Sequence, residues 1–200
     1  MEHIFKKGSK KSPVLVLLHG TGGDEYSLLS IAEFLSPEAS ILSLRGEVNE
    51  YGALRFFKRL EEGLYDIDDL NYRGTVIQSF LEEMAENYQF DLQDVVLVGF
   101  SNGSNMAINL LLADHTPFHK GILFAPMYPV DTEHLTQLKE NTHVFISMGE
   151  EDPICSLEDS RNVVEQFEKR GANVDTFWVN SHEINLDALK KAKDWLEKLA

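Results

Sequence analysis

Short apolar runs alternate with longer amphipathic segments along the whole chain. The runs are Val14–Leu18, Ile41–Leu44, Val95–Val98, Gly121–Ala125, Val144–Ser147 and Thr176–Val179. They are rich in Val, Ile, Leu and Phe and do not alternate strictly, which is the pattern of strands buried on both faces. His3–Lys6 adds an expected edge strand. Between the runs lie helical patterns. Thr75–Tyr88 places Val76, Ile77, Phe80, Leu81, Met84, Ala85 and Tyr88 on one stripe. Leu186–Leu199 does the same with Leu189, Ala192, Trp195, Leu196 and Leu199. Ser156, with Asp159 three residues on, reads as the N-cap of a helix that runs through Val163, Val164 and Phe167 and stops near Gly171. Asp24–Leu35 and Asn102–Ala113 fit two more helices. Strand then helix, repeated, predicts one α/β domain over residues 1–200. Its sheet is mostly parallel, of about six or seven strands with helices on both faces. In such sheets the functional loops lie beyond the carboxyl ends of the strands.

Composition narrows the function. A net charge of −15 disfavours a nucleic-acid partner and an anionic membrane surface, both of which require clustered Lys and Arg. The single cysteine, Cys155, permits no internal disulfide and suits a reducing compartment. Met1–Pro13 is basic but lacks the apolar stretch of a signal peptide. No run approaches the length of a membrane span. These features read as a cytoplasmic protein.

The candidate chemistry sits in the expected loops. Val95–Val98 is followed by Gly99-Phe100-Ser101-Asn102-Gly103 and then a helical segment. This is G-x-S-x-G in a strand–turn–helix context, where a tight turn lifts the serine hydroxyl clear and glycines relieve the crowding two residues to either side. Val14–Leu18 leads into His19-Gly20-Thr21-Gly22-Gly23-Asp24. Acyl transfer requires preorganised N–H groups for a developing oxyanion. Asn102, after the serine, supplies one, and Thr21 or alternatively Gly22 the other. No G-x-G-x-x-G and no G-K-[ST] supports a phosphate loop. His19 reads as a structural residue. A carboxylate follows the next strand, with Asp152 preferred over Glu150 and Glu151 because it lies farthest along its loop. His182 follows the last strand. The order Ser101, Asp152, His182 is the order of an α/β-hydrolase triad.

The segment Glu47–Arg73 is long for a strand-to-helix connection and rich in aromatic and aliphatic residues. Phe56 and Phe57, joined by Met127 from another loop, either line a substrate pocket or pack the loop onto the body. Arg45, Arg55 and Arg59 are expected to pair with Glu61 or Glu62 rather than to bind a ligand. Cys155 reads as buried filler.

In combination, H-G-T-G-G-D-E, L-R-G with R-F-F following, G-F-S-N-G-S-N, G-x-x-D-P-I-C and S-H-E resemble the phospholipase/carboxylesterase family of α/β-hydrolases. The likeness is greatest to bacterial carboxylesterases of the hydroquinone-linked type, related to acyl-protein thioesterases. It spans Val14 to Leu199. The resemblance implies a hydrolase without a large cap domain and without metal or cofactor. It implies Ser101, Asp152 and His182 as the triad, with Thr21 and Asn102 at the oxyanion site. It also implies a small-molecule ester as substrate and relatives that often pair as homodimers. Many relatives carry glycine where this chain has Ser181. Rival readings are a thioesterase using the same site and a ligand-binding protein on a hydrolase fold. A metal-dependent hydrolase lacks H-E-x-x-H and paired cysteines here.

Overall fold

The computed structural model describes residues 1–9 and 12–199. The strands are β1 (His3–Lys6), β2 (Val14–Leu18), β3 (Ser40–Leu44), β4 (Val48–Glu50), β5 (Ala53–Arg55), β6 (Arg59–Glu61), β7 (Leu64–Tyr65), β8 (Val95–Phe100), β9 (Lys120–Phe124), β10 (His143–Gly149) and β11 (Asn173–Val179). The helices are α1 (Leu29–Leu35), α2 (Ile67–Tyr88), α3 (Asn102–Leu112), α4 (Leu157–Glu168) and α5 (Leu186–Lys198). Seven strands form one sheet in the order β1-β3-β2-β8-β9-β10-β11. Every pairing is parallel except that of β1 with β3, so the expected edge strand closes one side antiparallel.

The apolar runs became strands because both of their faces find helices. On β2, Val14, Val16 and Leu18 face one core while Leu15 and Leu17 face the other. Leu70, Ile77 and Leu81 of α2, Met106 and Leu110 of α3, and Val163 and Phe167 of α4 fill the first core. Ala32 and Leu35 of α1, and Ala188, Ala192, Trp195 and Leu196 of α5, fill the second. This is the α/β-hydrolase architecture without a large cap domain. Among the described residues, no helix is long and apolar enough to cross a membrane.

Four expectations need correction. The α2 helix begins at Ile67, not Thr75, because the Asp66 side chain accepts a hydrogen bond from the Asp69 N–H and caps it, with Asp68 and Asp69 in its first turn. The polar stretch before Gly74 hid this turn, although Leu70 belongs to the core. Helix α1 begins only at Leu29, since residues 24–28 spend their hydrogen bonds on turns closed by Asp24 and Ser27. The β11 strand is an edge on which only Val179 is buried, not a strand buried on both faces. The segment 47–66 is not loop alone but two hairpins, β4–β5 and β6–β7.

The topology fixes where chemistry can occur. β2 has β3 on one side and β8 on the other, so the chain leaves it in one direction and later returns to its opposite flank. The carboxyl ends of β2 and β8 therefore bound a topological switch point, and the loops carrying Thr21 and Ser101 emerge there.

Candidate active site

Ser101 stands between β8 and α3 at φ 50°, ψ −116°, a backbone region that non-glycine residues rarely occupy. The surroundings hold it there. Its N–H donates to the Phe124 carbonyl at 2.9 Å, and its own carbonyl accepts the Asn105 N–H at 3.0 Å. The Ser104 hydroxyl donates to the same Phe124 carbonyl at 2.8 Å. The flanking glycines permit the crowding. A Cβ at Gly99 would lie 2.5 Å from the Ser104 nitrogen, and one at Gly103 would sit inside the Leu18 carbonyl.

Three side chains far apart in sequence meet at this edge. His182 Nε2 lies 2.9 Å from Ser101 Oγ, and His182 Nδ1 lies 2.7 Å from Asp152 Oδ2. The carboxylate can only accept, so Nδ1 carries the proton and Nε2 presents its lone pair to the serine hydroxyl. The other carboxylate oxygen, Asp152 Oδ1, accepts the N–H groups of Ile154 at 2.8 Å and Cys155 at 3.0 Å. That Asx turn fixes the rotation of the carboxyl group, whose side chain is only 1% exposed. Glu150 and Glu151, the competing acids, point into solvent. The His182 ring leans on Phe100 at 5.3 Å between centroids.

The loop after β2 lies against the elbow. Gly22 donates its N–H to the Leu54 carbonyl at 2.9 Å and Gly23 donates to the Gly20 carbonyl at 3.0 Å, whereas the Thr21 N–H has no acceptor among the described residues. Asn102 opens α3, so its N–H has no intrahelical partner either. Its side-chain oxygen accepts the Phe56 N–H at 2.8 Å. His19 anchors the loop from beneath. Gly46 donates its N–H to His19 Nε2 at 3.0 Å, so Nδ1 bears the proton and donates to the Gly20 carbonyl at 2.7 Å. Burial lowers the His19 pKa from 6.5, outweighing the opposing pull of the Gly20 carbonyl, Asp24 and Glu25. The unfolded chain therefore binds the extra proton first as pH falls below 6.5. Stability is expected to decline on acidification through that window, because protonated Nε2 cannot accept from Gly46. The His19→Gln variant should show a shallower fall of Tm with pH than the parent; equal slopes would remove His19 as the cause.

The residues expected to line a pocket are distributed otherwise. Phe56 and Phe57 are 2% and 0% exposed and belong to the core. Phe56 packs on the His19 ring at 4.7 Å, and Phe57 meets the edge of Tyr65 at 4.8 Å. They form the floor under the loop after β2 and the hairpins and present almost no surface. Met127 is half-buried beside the elbow helix. Its N–H donates to Asn105 Oδ1 at 2.9 Å, and its carbonyl accepts the Tyr65 hydroxyl at 2.7 Å. Asn105 Nδ2 donates to the same hydroxyl at 2.7 Å, closing a ring of bonds behind Ser101. The sequence assigns no role to Asn105 and offers Tyr65 only as one of several aromatics in the segment from Glu47 to Arg73. The available signal was a buried-face asparagine one turn after the serine, directly before the apolar run Met106–Ile108.

Cys155 is buried, and its thiol donates to the Pro126 carbonyl at 3.1 Å. Burial pushes its pKa up to about 11, the opposite of what a nucleophile requires. The arginines pair differently from expectation. Arg45 bonds Glu25 and Glu2, while Arg55 and Arg59 share Glu50, because the hairpins bring Glu50 to them and leave Glu61 and Glu62 in solvent. Among the described residues, no His, Cys, Asp and Glu side chains group where they could hold a metal ion.

Comparison with known proteins gives one consistent answer. The phospholipase/carboxylesterase family model matches residues 57–200. The chain is 38% identical to the protein MhqD of Bacillus subtilis (strain 168) over 199 residues, covering 99% of this chain and 98% of that one. Among solved structures, the Bacillus cereus carboxylesterase shares 41% identity over all of this chain and 95% of its own, with a TM-score of 0.95. YahD, solved with malic acid, shares 31% identity over 100% of this chain and 99% of its own, with a TM-score of 0.94.

Proposed function

The chain belongs to the phospholipase/carboxylesterase family of α/β-hydrolases, and from that premise we propose that it is a serine carboxylesterase acting on small to medium esters through an acyl-enzyme. The observation that carries this reading is the unbroken relay from Asp152 through His182 to Ser101, with hydrogen bonds of 2.7 and 2.9 Å.

Each step follows from that relay. Ser101 Oγ attacks the ester carbonyl while its proton passes to His182 Nε2. Asp152 holds the ring in the tautomer that can accept and stabilises the imidazolium once formed. The carbonyl oxygen, now negative, is met by the N–H groups of Thr21 and Asn102. The geometry favours Thr21 over Gly22, whose N–H is already committed to Leu54. Preorganised donors of this kind cost no reorganisation as the charge appears. The imidazolium then protonates the departing alkoxide, and the C–O bond breaks to leave Ser101 acylated. Water attacks the acyl-enzyme in the same manner, with His182 taking its proton; the acyl C–Oγ bond then breaks as His182 returns that proton to Ser101 Oγ, and the carboxylic acid departs. The strain at Ser101 serves this chemistry by holding the hydroxyl clear of the sheet before substrate arrives.

A fluorophosphonate tests the assignment directly. The reagent should lose fluoride and add one phosphonyl group per chain, mapped by peptide mass to Ser101. Nitrophenyl-ester turnover should fall in proportion to the labelled fraction. A label on another residue, or full labelling with turnover retained, would count against the mechanism.

A further inference from the structure

Outside the triad, the hairpins gather two guanidinium groups around a single carboxylate. Glu50 on β4 gives one oxygen to Arg55 Nη1 and the other to Arg59 Nε, each at 3.0 Å. Both guanidiniums thus flank a single carboxylate, and the cluster carries a formal charge of +1 within a chain of net −15. Arg55 is 4% exposed; its Nε donates to the Phe57 carbonyl at 3.3 Å. Its Nη2, like both terminal nitrogens of Arg59, has no acceptor among the described residues, and none of the three is sealed from solvent. Desolvation lowers the Arg55 pKa, and the neighbouring Arg59 adds to the effect. A buried cation sharing half of one carboxylate retains unmet demand for an anion.

The position of the cluster connects it to the reaction. Arg55 lies between two residues bound to the catalytic loops. The Leu54 carbonyl accepts the Gly22 N–H of the oxyanion loop, and the Phe56 N–H donates to Asn102 beside the nucleophile. The Arg55 guanidinium lies 5.9 Å from the Phe57 ring centroid, and Phe57 packs on Tyr65, which bonds Asn105 behind Ser101. An anionic group bound by the cluster would therefore sit on the same hairpin wall that supports the oxyanion site.

We propose that Arg55 and Arg59, bridged by Glu50, form a subsite for a carboxylate carried by the ester substrate. A planar carboxylate matches the fork of a guanidinium and can bridge the terminal nitrogens opposite Glu50. The substrates so selected are half-esters, with one end hydrolysed at Ser101 and the other held as a free carboxylate. This proposal rests on the esterase reading above.

The test is a length series of nitrophenyl half-esters of dicarboxylic acids, from succinate to adipate, each paired with a neutral alkanoate ester of equal length. At one length the parent should prefer the half-ester in kcat/KM by roughly tenfold, the effect of one charge-assisted contact. The Arg59→Gln variant should bring that ratio to about one at moderate salt. As a second readout, the free dicarboxylate of the preferred length should inhibit neutral-ester hydrolysis by the parent better than the matching monocarboxylate, and the variant should lose this difference. No preference at any length, or a ratio and an inhibition difference unmoved by the substitution, overturns the subsite and leaves the esterase assignment intact. Turnover of neither ester, with no fluorophosphonate labelling of Ser101, overturns both.

Discussion

The Asp152→Asn variant is expected to lose about 10⁴-fold in kcat while folding as the parent does. The reason is visible in how the two carboxylate oxygens are used. Oδ1 accepts two backbone N–H groups, from Ile154 and Cys155, and Oδ2 accepts the His182 Nδ1–H. An asparagine offers one oxygen and one NH₂ group. Two backbone donors outweigh one, so the oxygen stays in the Asx turn and the NH₂ faces His182. Nδ1 must then become the acceptor, which moves the ring proton to Nε2. Nε2–H directed at Ser101 Oγ cannot take the serine proton, so the nucleophile is left without its base. Packing is nearly unchanged, and the thermal midpoint should stay within a few degrees of the parent, as expected for a change of about 1 kcal/mol in a chain of this size. Turnover of a nitrophenyl ester under saturating conditions, measured with the thermal midpoint, checks both halves. A loss of less than tenfold would mean that Asp152 does not set the tautomer.

The parts of this site that were legible in the sequence are those written in local spacing. Gly99-Phe100-Ser101-Asn102-Gly103 announces itself because a strand, a tight turn and a helix must follow one another within a few residues. The apolar run Val14–Leu18 matches its strand because full burial on two faces leaves no alternation to misread. Ser156 and Asp159 could be read as a cap because the capping box is contained within four residues, and both of its bonds are present. The illegible parts are those made by distant segments. Nothing local tells that Tyr65 will close a ring with Asn105 and Met127. The pairing of Glu50 with Arg55 and Arg59 is closer in sequence but depends on the turn at Tyr51 and Gly52, which reads as loop in the sequence. The aromatics of the segment from Glu47 to Arg73 illustrate the same limit. A buried phenylalanine and a pocket-lining one are identical in sequence, and only the packing of Phe56 on His19 and Phe57 on Tyr65 separates them.

Replacing Gly103 with alanine is expected to damage the fold and the site together. Gly103 lies in the first turn of α3, where the helix presses against the end of β2. An added Cβ would overlap the Leu18 carbonyl carbon and oxygen and crowd the His19 carbonyl. These are backbone atoms at the end of β2, an interior strand bonded on both sides to β3 and β8, so they cannot rotate aside as a side chain would. The helix must instead withdraw from the sheet. That movement opens the cores beneath Met106 and Ala107, both fully buried, and costs about 4 kcal/mol or more. For a chain of this size the loss corresponds to a fall in Tm of roughly 10 °C. The consequence for catalysis follows from the same displacement. The Asn102 N–H moves with the helix away from Thr21, so on the proposed mechanism the molecules that still fold lose one of two oxyanion donors, an effect of about 10²-fold or more in kcat. Differential scanning calorimetry and ester turnover measured on the folded fraction separate the two effects. A midpoint within about 2 °C of the parent, with turnover retained, would show that the contact between α3 and β2 yields more readily than its backbone geometry implies.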